Sequence, residues 1–300
     1  MAHATLLSGE SGIGKRTLAR LLAQGLLCRG EEEKPCGKCR DCTRFLARTH
    51  PDAFFPSPKP RENSIKIDAL REMIAALSRH SLEGGRRVIL MEEAERMTPQ
   101  AQNCLLKTLE EADEGTYFIL TTHQESALLP TIRSRCRIIR MQPWTAERIE
   151  NALLAKNIPA QRAHALSLYC EGSLGRALTM HEDEQYWAAR DLIKRSFLSI
   201  RRSADIPAAA ALLKDQKDNG DRILDILEQE IRALLHDRIT RQDSADDMPA
   251  HWQQATPQGL AKIMDYLLQC RRHKNANVGW AALAEGLMQT ISEETSKWQV

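Results

Sequence analysis

Three hundred residues, 42% hydrophobic and 27% charged, suit two or three globular domains; the chain has neither a disordered composition nor the run of about 18 apolar residues that crosses a membrane. A net charge of +2 counts against a chain that grips DNA mainly by its own basic surface, so a nucleic-acid role would be shared with partners. The opening "MAHATLLSGESG" lacks the basic-then-apolar pattern of a secretory leader, so the expected location is the cytoplasm.

The first expected element is a strand, His3 to Ser8, followed by "GESGIGK" and a helix from Lys15 to Leu27 with Leu18, Leu21, Leu22 and Leu26 at helical spacing. A phosphate loop needs glycines that let backbone amides surround phosphate, a lysine for the terminal phosphates and a Ser/Thr hydroxyl for Mg²⁺. Gly9, Gly12, Gly14 and Lys15 match, but Arg16 stands where the hydroxyl belongs and Thr17 comes one residue late. One residue of helix turns a side chain by about 100°, so Thr17 does not simply take over the metal contact. Read alone, the stretch is a nucleotide site or a Gly-rich turn without a ligand.

Next come Cys28, Cys36, Cys39 and Cys42, spaced C-x7-C-x2-C-x2-C. Two C-x2-C steps bring thiolates onto one tetrahedral ion, and four leave no open position, which describes a structural zinc site. Reduced thiols without metal, or a redox pair, are the other readings. The Pro-rich "HPDAFFPSPKPRENS" is a connection containing one short strand, Ala53 to Phe55. Asp68 is the expected N-cap of a helix carrying Leu70, Met73, Ile74 and Leu77 that ends before Gly84-Gly85.

"RRVILM" is an apolar run of the kind that forms a parallel strand buried on both faces, and it ends in Glu92 and Glu93. Such a pair is either a solvated strand end or the carboxylates that hold Mg²⁺ and face the attacking water in a P-loop ATPase. Thr98-Pro99 starts a helix through Leu105, Leu106 and Leu109, and "TYFILTT" and "CRIIRM" are further strands. Between these two strands, "TIRSRC" holds Arg133 and Arg135, which solvate a loop or reach a neighbouring molecule's phosphate. Alternating strands and helices to residue 142 predict an α/β domain with a doubly wound parallel sheet. From Pro143 onward amphipathic helices follow, including "TAERIENALLA", "DRILDILEQEIRALLHDRI" and "LAKIMDYLLQC", with "TRQDSADDMPA" as a loop.

In order, "GESGIGK", the cysteine insert, "THPD", "NCLLKTLEE" and "TIRSRC" resemble the clamp-loader subunits of bacterial replicative DNA polymerases, members of the oligomeric AAA+ P-loop ATPases with a helical lid. The resemblance is specific over roughly residues 1 to 180. It implies a P-loop domain with a small zinc module at 1–142, a helical lid at 143–183 and an all-α collar at 184–300. By the family's motifs, Arg135 is a trans-acting arginine finger, Thr122 a sensor of the terminal phosphate, and Arg176 in "GSLGRAL" a second sensor. Gly9, Gly12, Gly14, Lys15, Thr17, Glu92 and Glu93 form a degenerate nucleotide site.

Arg16, the longer Glu92 in place of the usual Asp, and a strand that begins almost at Met1, where the family carries an upstream segment that helps hold adenine, all depart from the ATPase (gamma or tau) members. The implied role is an ATPase-deficient subunit in a hetero-pentamer with gamma/tau and delta subunits. That complex places a sliding clamp on primed DNA, with ATP and Mg²⁺ held by the neighbour. The other reading is a self-sufficient ATPase using Lys15, Thr17, Glu92 and Glu93.

Overall fold

The computed structural model describes residues 2–31, 33–77, 85–240, 248–276 and 278–298. They divide into two compact units, Met1–Ile149 with Glu171–Arg176, and Glu150–Cys170 with Ala177–Val300.

The first unit is built on β1 (Ala4–Ser8), β2 (Ala53–Phe54), β3 (Arg87–Met91), β4 (Thr116–Thr122) and β5 (Arg137–Arg140). All pairs are parallel, in the order β2-β3-β4-β1-β5. Each central strand is a short apolar run joined to the next through helix, the pattern that forces parallel crossovers. Alternate side chains face opposite ways. Leu7, Val88, Leu90 and Ile119 pack on α1 (Lys15–Leu27) and α2 (Arg40–Leu46), through Ala19, Ala23, Leu27 and Phe45. Leu6, Ile89, Met91, Phe118 and Leu120 face the other layer, α3 (Ile67–Leu77) and α4 (Pro99–Glu111), through Leu70, Met73, Leu105 and Leu109. The short α5 (Pro130–Arg135) leads into β5.

Two details differ from the sequence expectation. Helix α3 begins at Ile67, so Asp68 lies in its first turn instead of capping it; the amide of Ala69 already bonds to the carbonyl of Lys66. The short strand β2 stops at Phe54. Thr98 is a cap as expected, its hydroxyl accepting the amide of Ala101 at 3.3 Å with Pro99 in the first turn. The expected end of the α3 helix before Gly84-Gly85, and most of "TRQDSADDMPA", lie outside the described residues.

The remaining helices are α6 (Ala146–Leu154), α7 (Ala160–Tyr169), α8 (Leu174–Glu182), α9 (Glu184–Arg195), α10 (Ile206–Leu213), α11 (Gly220–Thr240), α12 (Pro257–Asn275) and α13 (Trp280–Lys297). Among the described residues of the second unit every regular element is helical, and its core gathers Phe197, Ile223, Leu227, Trp252, Ile263, Leu267 and Leu287. Within that apolar core sits an ionic group. Glu230, 1% exposed, accepts from Arg190 Nε and from the Tyr169 hydroxyl, each at 2.5 Å. The Arg190 guanidinium also lies over the rings of Tyr169 and Trp187. Three helices, α7, α9 and α11, are thereby held through one carboxylate.

Breaking a buried ion pair leaves a charge without compensation, so Glu230→Leu is expected to cost about 3–5 kcal/mol. Urea unfolding followed by tryptophan fluorescence measures it, because Trp187, Trp252, Trp280 and Trp298 all belong to this unit. Burial first, and the Glu230 charge second, raise the Tyr169 phenol well above its ordinary 10.0. The folded state therefore keeps that proton to higher pH than the unfolded chain. Its contribution is complete below pH 10.0 and falls as pH rises beyond it. Tyr169→Phe is expected to make the alkaline loss of stability shallower, as read from urea midpoints at successive pH values.

Candidate functional site

All strands of the sheet end at the same edge, and the expected nucleotide-site residues cluster there. Ser8, at the end of β1, pairs in register with Thr122 of β4 and Arg140 of β5. The loop from Gly9 to Gly14 follows, and α1 starts at Lys15. Gly12 and Gly14 have φ of 78° and 101°, a left-handed conformation that side chains resist. They turn the loop so tightly that α1 begins at once. The nearly buried Lys15 donates from Nζ to the carbonyls of Gly9 and Glu10, both at 2.6 Å. Burial lowers its pKa, with Glu95 and Glu10 pulling the other way.

The acidic end of β3 lies beside the first turns of α1. Arg16 and Arg20, one helical turn apart, share a face of that helix. Arg16 Nη2 is 2.7 Å from Glu93 Oε1 and its Nε is 3.6 Å from Glu92 Oε2; Arg20 Nε is 2.7 Å from Glu92 Oε1. Glu93, in a left-handed backbone conformation with φ of 56°, also meets Arg96 Nη1 at 2.8 Å. That hydrogen bond, more than the nearby Arg16 charge, holds its carboxyl below the usual range. Thr17 is exposed on α1.

Thr122 is 1% exposed. Its carbonyl receives the amide of Gly9 at 3.3 Å, and its hydroxyl accepts the amide of Gln124 at 3.0 Å. The segment Glu171–Arg176 belongs to this same unit and closes over the loop. The Ser173 hydroxyl donates to the carbonyl of Ser11 at 2.9 Å, and the amide of Gly175 to that of Gly12 at 2.9 Å. The Arg176 amide lies within 3.2 Å of where a side chain at Gly12 would begin, while its guanidinium is paired with Glu171 at 2.5 Å.

The structure does not bring Arg135 to this edge. Helix α5 ends at Arg135, and β5 starts at Arg137 opposite Thr5, so Arg135 lies where the strands begin. Its guanidinium donates to the carbonyl of Thr131 at 3.2 Å and pairs with Glu110. Four to five residues of parallel strand, about 15 Å, separate that edge from the phosphate loop.

The four cysteine sulfurs lie within 4.8 Å of one another. Metal–thiolate bonds of about 2.3 Å in a tetrahedron put sulfurs some 3.8 Å apart, and Cys28 Sγ and Cys39 Sγ are separated by 3.9 Å. The amide of Cys42 lowers the Cys39 thiol, whereas burial raises that of Cys42; a bound cation favours the thiolate at both. The cluster can therefore hold a metal ion. A side chain at Gly30 would start 2.9 Å from Cys36 Sγ, so a substitution there displaces one of the cysteines.

Sequence reasoning did not single out two neighbours of these sites. Glu95, its side chain 7% exposed, meets His123 Nδ1 at 2.5 Å beside the acidic strand end. The buried His50 of "THPD" accepts the amide of Asp52 on Nδ1 at 3.1 Å and faces the buried Asp41 with Nε2 at 3.5 Å. Asp41 lies between two of the cysteine ligands, so His50 ties that module to the sheet. The local signals were a third acid in "EEAER" and His123 just after a buried strand for the first pair, and "THPD" itself for His50.

A family model described as DNA polymerase III, delta subunit, matches residues 1–145, the stretch that contains the loop, the cysteines, both glutamates and Arg135. Proteins named DNA polymerase III subunit delta′ match as well. That of Pseudomonas aeruginosa is 41% identical over 59% of this chain and 54% of its own length; that of Escherichia coli is 34% identical over 72% and 65%. The chain is similar to DNA polymerase III delta-prime subunits. The delta-prime protein of Bacillus subtilis is 27% identical over 98% of this chain and 92% of its own length. The first two matches thus span from just over half to just under two thirds of those delta-prime relatives.

Elemental analysis of the purified chain is expected to find one metal ion per molecule. Cys36→Ser combined with Cys39→Ser should lose the ion and lower the unfolding temperature. An equally stable, metal-free natural chain would refute the site.

Proposed function

We propose that this chain is a subunit of a bacterial clamp loader that completes a neighbouring subunit's ATP site with Arg135 while hydrolysing no ATP itself. The observation that carries the reading is the position of Arg135 at the opposite edge of a parallel sheet from its own phosphate loop. From there it cannot serve its own loop, and its half-exposed guanidinium faces away from that site. An arginine delivered in trans to a transferring phosphoryl group is worth roughly 10³–10⁵ in rate. The absent metal-binding hydroxyl, and carboxylates at the strand end that meet Arg16 and Arg20, support the lack of hydrolysis in cis.

On this reading the metal at Cys28, Cys36, Cys39 and Cys42 is structural zinc, Thr122 and Arg176 are vestiges of the sensors, and residues 143–183 and 184–300 are lid and collar. The partners are gamma/tau and delta subunits in a hetero-pentamer, the sliding clamp and primed DNA. ATP and Mg²⁺ are held by the neighbour, and the complex works in the cytoplasm. Among the described residues no helix is long and apolar enough to cross a membrane.

The test mixes this chain with ATPase subunits of a loader and measures turnover at the site it adjoins. Arg135→Ala should assemble normally by size-exclusion chromatography, yet reduce that turnover by about 10³-fold or more. Unchanged turnover in an intact complex would refute the assignment.

A further inference from the structure

A phosphate loop and an acidic strand end normally share a divalent cation, so the question is whether these residues fit one. They do not. The ligand that α1 should supply is Arg16, and the carboxylates that should meet the ion already meet guanidinium groups: Glu93 has Arg16 and Arg96, and Glu92 has Arg20 and Arg16. Two like charges at i and i+4 on a helix repel each other. Arg16 and Arg20 tolerate that spacing because the carboxylates are arrayed opposite them. With Lys15 beside Glu10 and Glu95, the cluster is close to neutral without any ligand.

We propose that Arg16 and Arg20 are the resident cations of this site, occupying Glu92 and Glu93 in place of Mg²⁺ and excluding it. The arrangement gives the strand end and α1 the cross-link that a bound ion provides in a working site, and it holds the loop in shape with no ligand required. The inference rests on the reading of this loop as one that does not hydrolyse ATP, but it concerns the opposite sheet edge from Arg135, so either can fail alone.

The probe is Mn²⁺ alone, followed by electron paramagnetic resonance on the full-length, metal-loaded chain. The natural chain should hold Mn²⁺ no better than its Glu92→Gln, Glu93→Gln variant. Arg16→Ser with Arg20→Ala should gain about tenfold in affinity, the scale set by one exchanged ion contact, and should lose the gain when both glutamates are changed. Arg16→Lys with Arg20→Lys keeps both positive charges and should gain nothing. Both arginines are about half exposed, so their replacement leaves the core intact. The proposal is overturned if the natural chain already binds Mn²⁺ through Glu92 and Glu93, or if removing both arginines brings no gain.

Discussion

Parallel pairing of β1 with both β4 and β5 is the constraint from which the chemistry of this chain follows. Parallel strands must be joined by crossovers, so every connection from strand to helix leaves from one edge and every return arrives at the other. The phosphate loop and the two glutamates follow β1 and β3, Thr122 ends β4, and all are therefore gathered together. The arginine that precedes β5 is placed at the far edge by the same rule. Had β5 run antiparallel, Arg135 would stand beside its own loop, and a role in trans would have no geometric basis.

At the strand-end edge, charge is matched by residues of the chain itself. Glycines, lysine and acidic residues persist in the order of a nucleotide site, but the contacts they make are intramolecular. Lys15 turns to carbonyls of its own loop, and the glutamates turn to guanidinium groups. The helical unit uses a related device in its interior, where Glu230 is stable only because Arg190 and Tyr169 satisfy both of its oxygens. In both places a buried or crowded carboxylate sets the position of the helix that carries its partner.

Much of this was legible in the residues. The strands announced themselves as apolar runs, and the order "GESGIGK", four cysteines, "VILMEE" and "TIRSRC" carried both the sheet and the resemblance. Local signals worked wherever the deciding interaction is local, as with the Thr98 cap or the spacing of the cysteines. They failed where the partner is remote. Arg16 is visible as the loss of a hydroxyl, but its meeting with Glu93 depends on how α1 packs beside β3. His50 with Asp41, Glu95 with His123, and Tyr169 with Glu230 are likewise pairings that no spacing rule contains. Asp68 misled as a cap because an acid in the first turn of a helix is favoured for much the same electrostatic reason as one just before it.

The close approach of Gly12 and Gly175 has a consequence for how this protein can diverge. A Cβ at Gly175 would begin 2.9 Å from the Cα of Gly12, and one at Gly12 would run into the Ser173 hydroxyl. Neither position can accept a side chain unless the other backbone segment withdraws. The two glycines, far apart in sequence, therefore form one steric unit: a side chain at either position demands movement of the segment that carries the other.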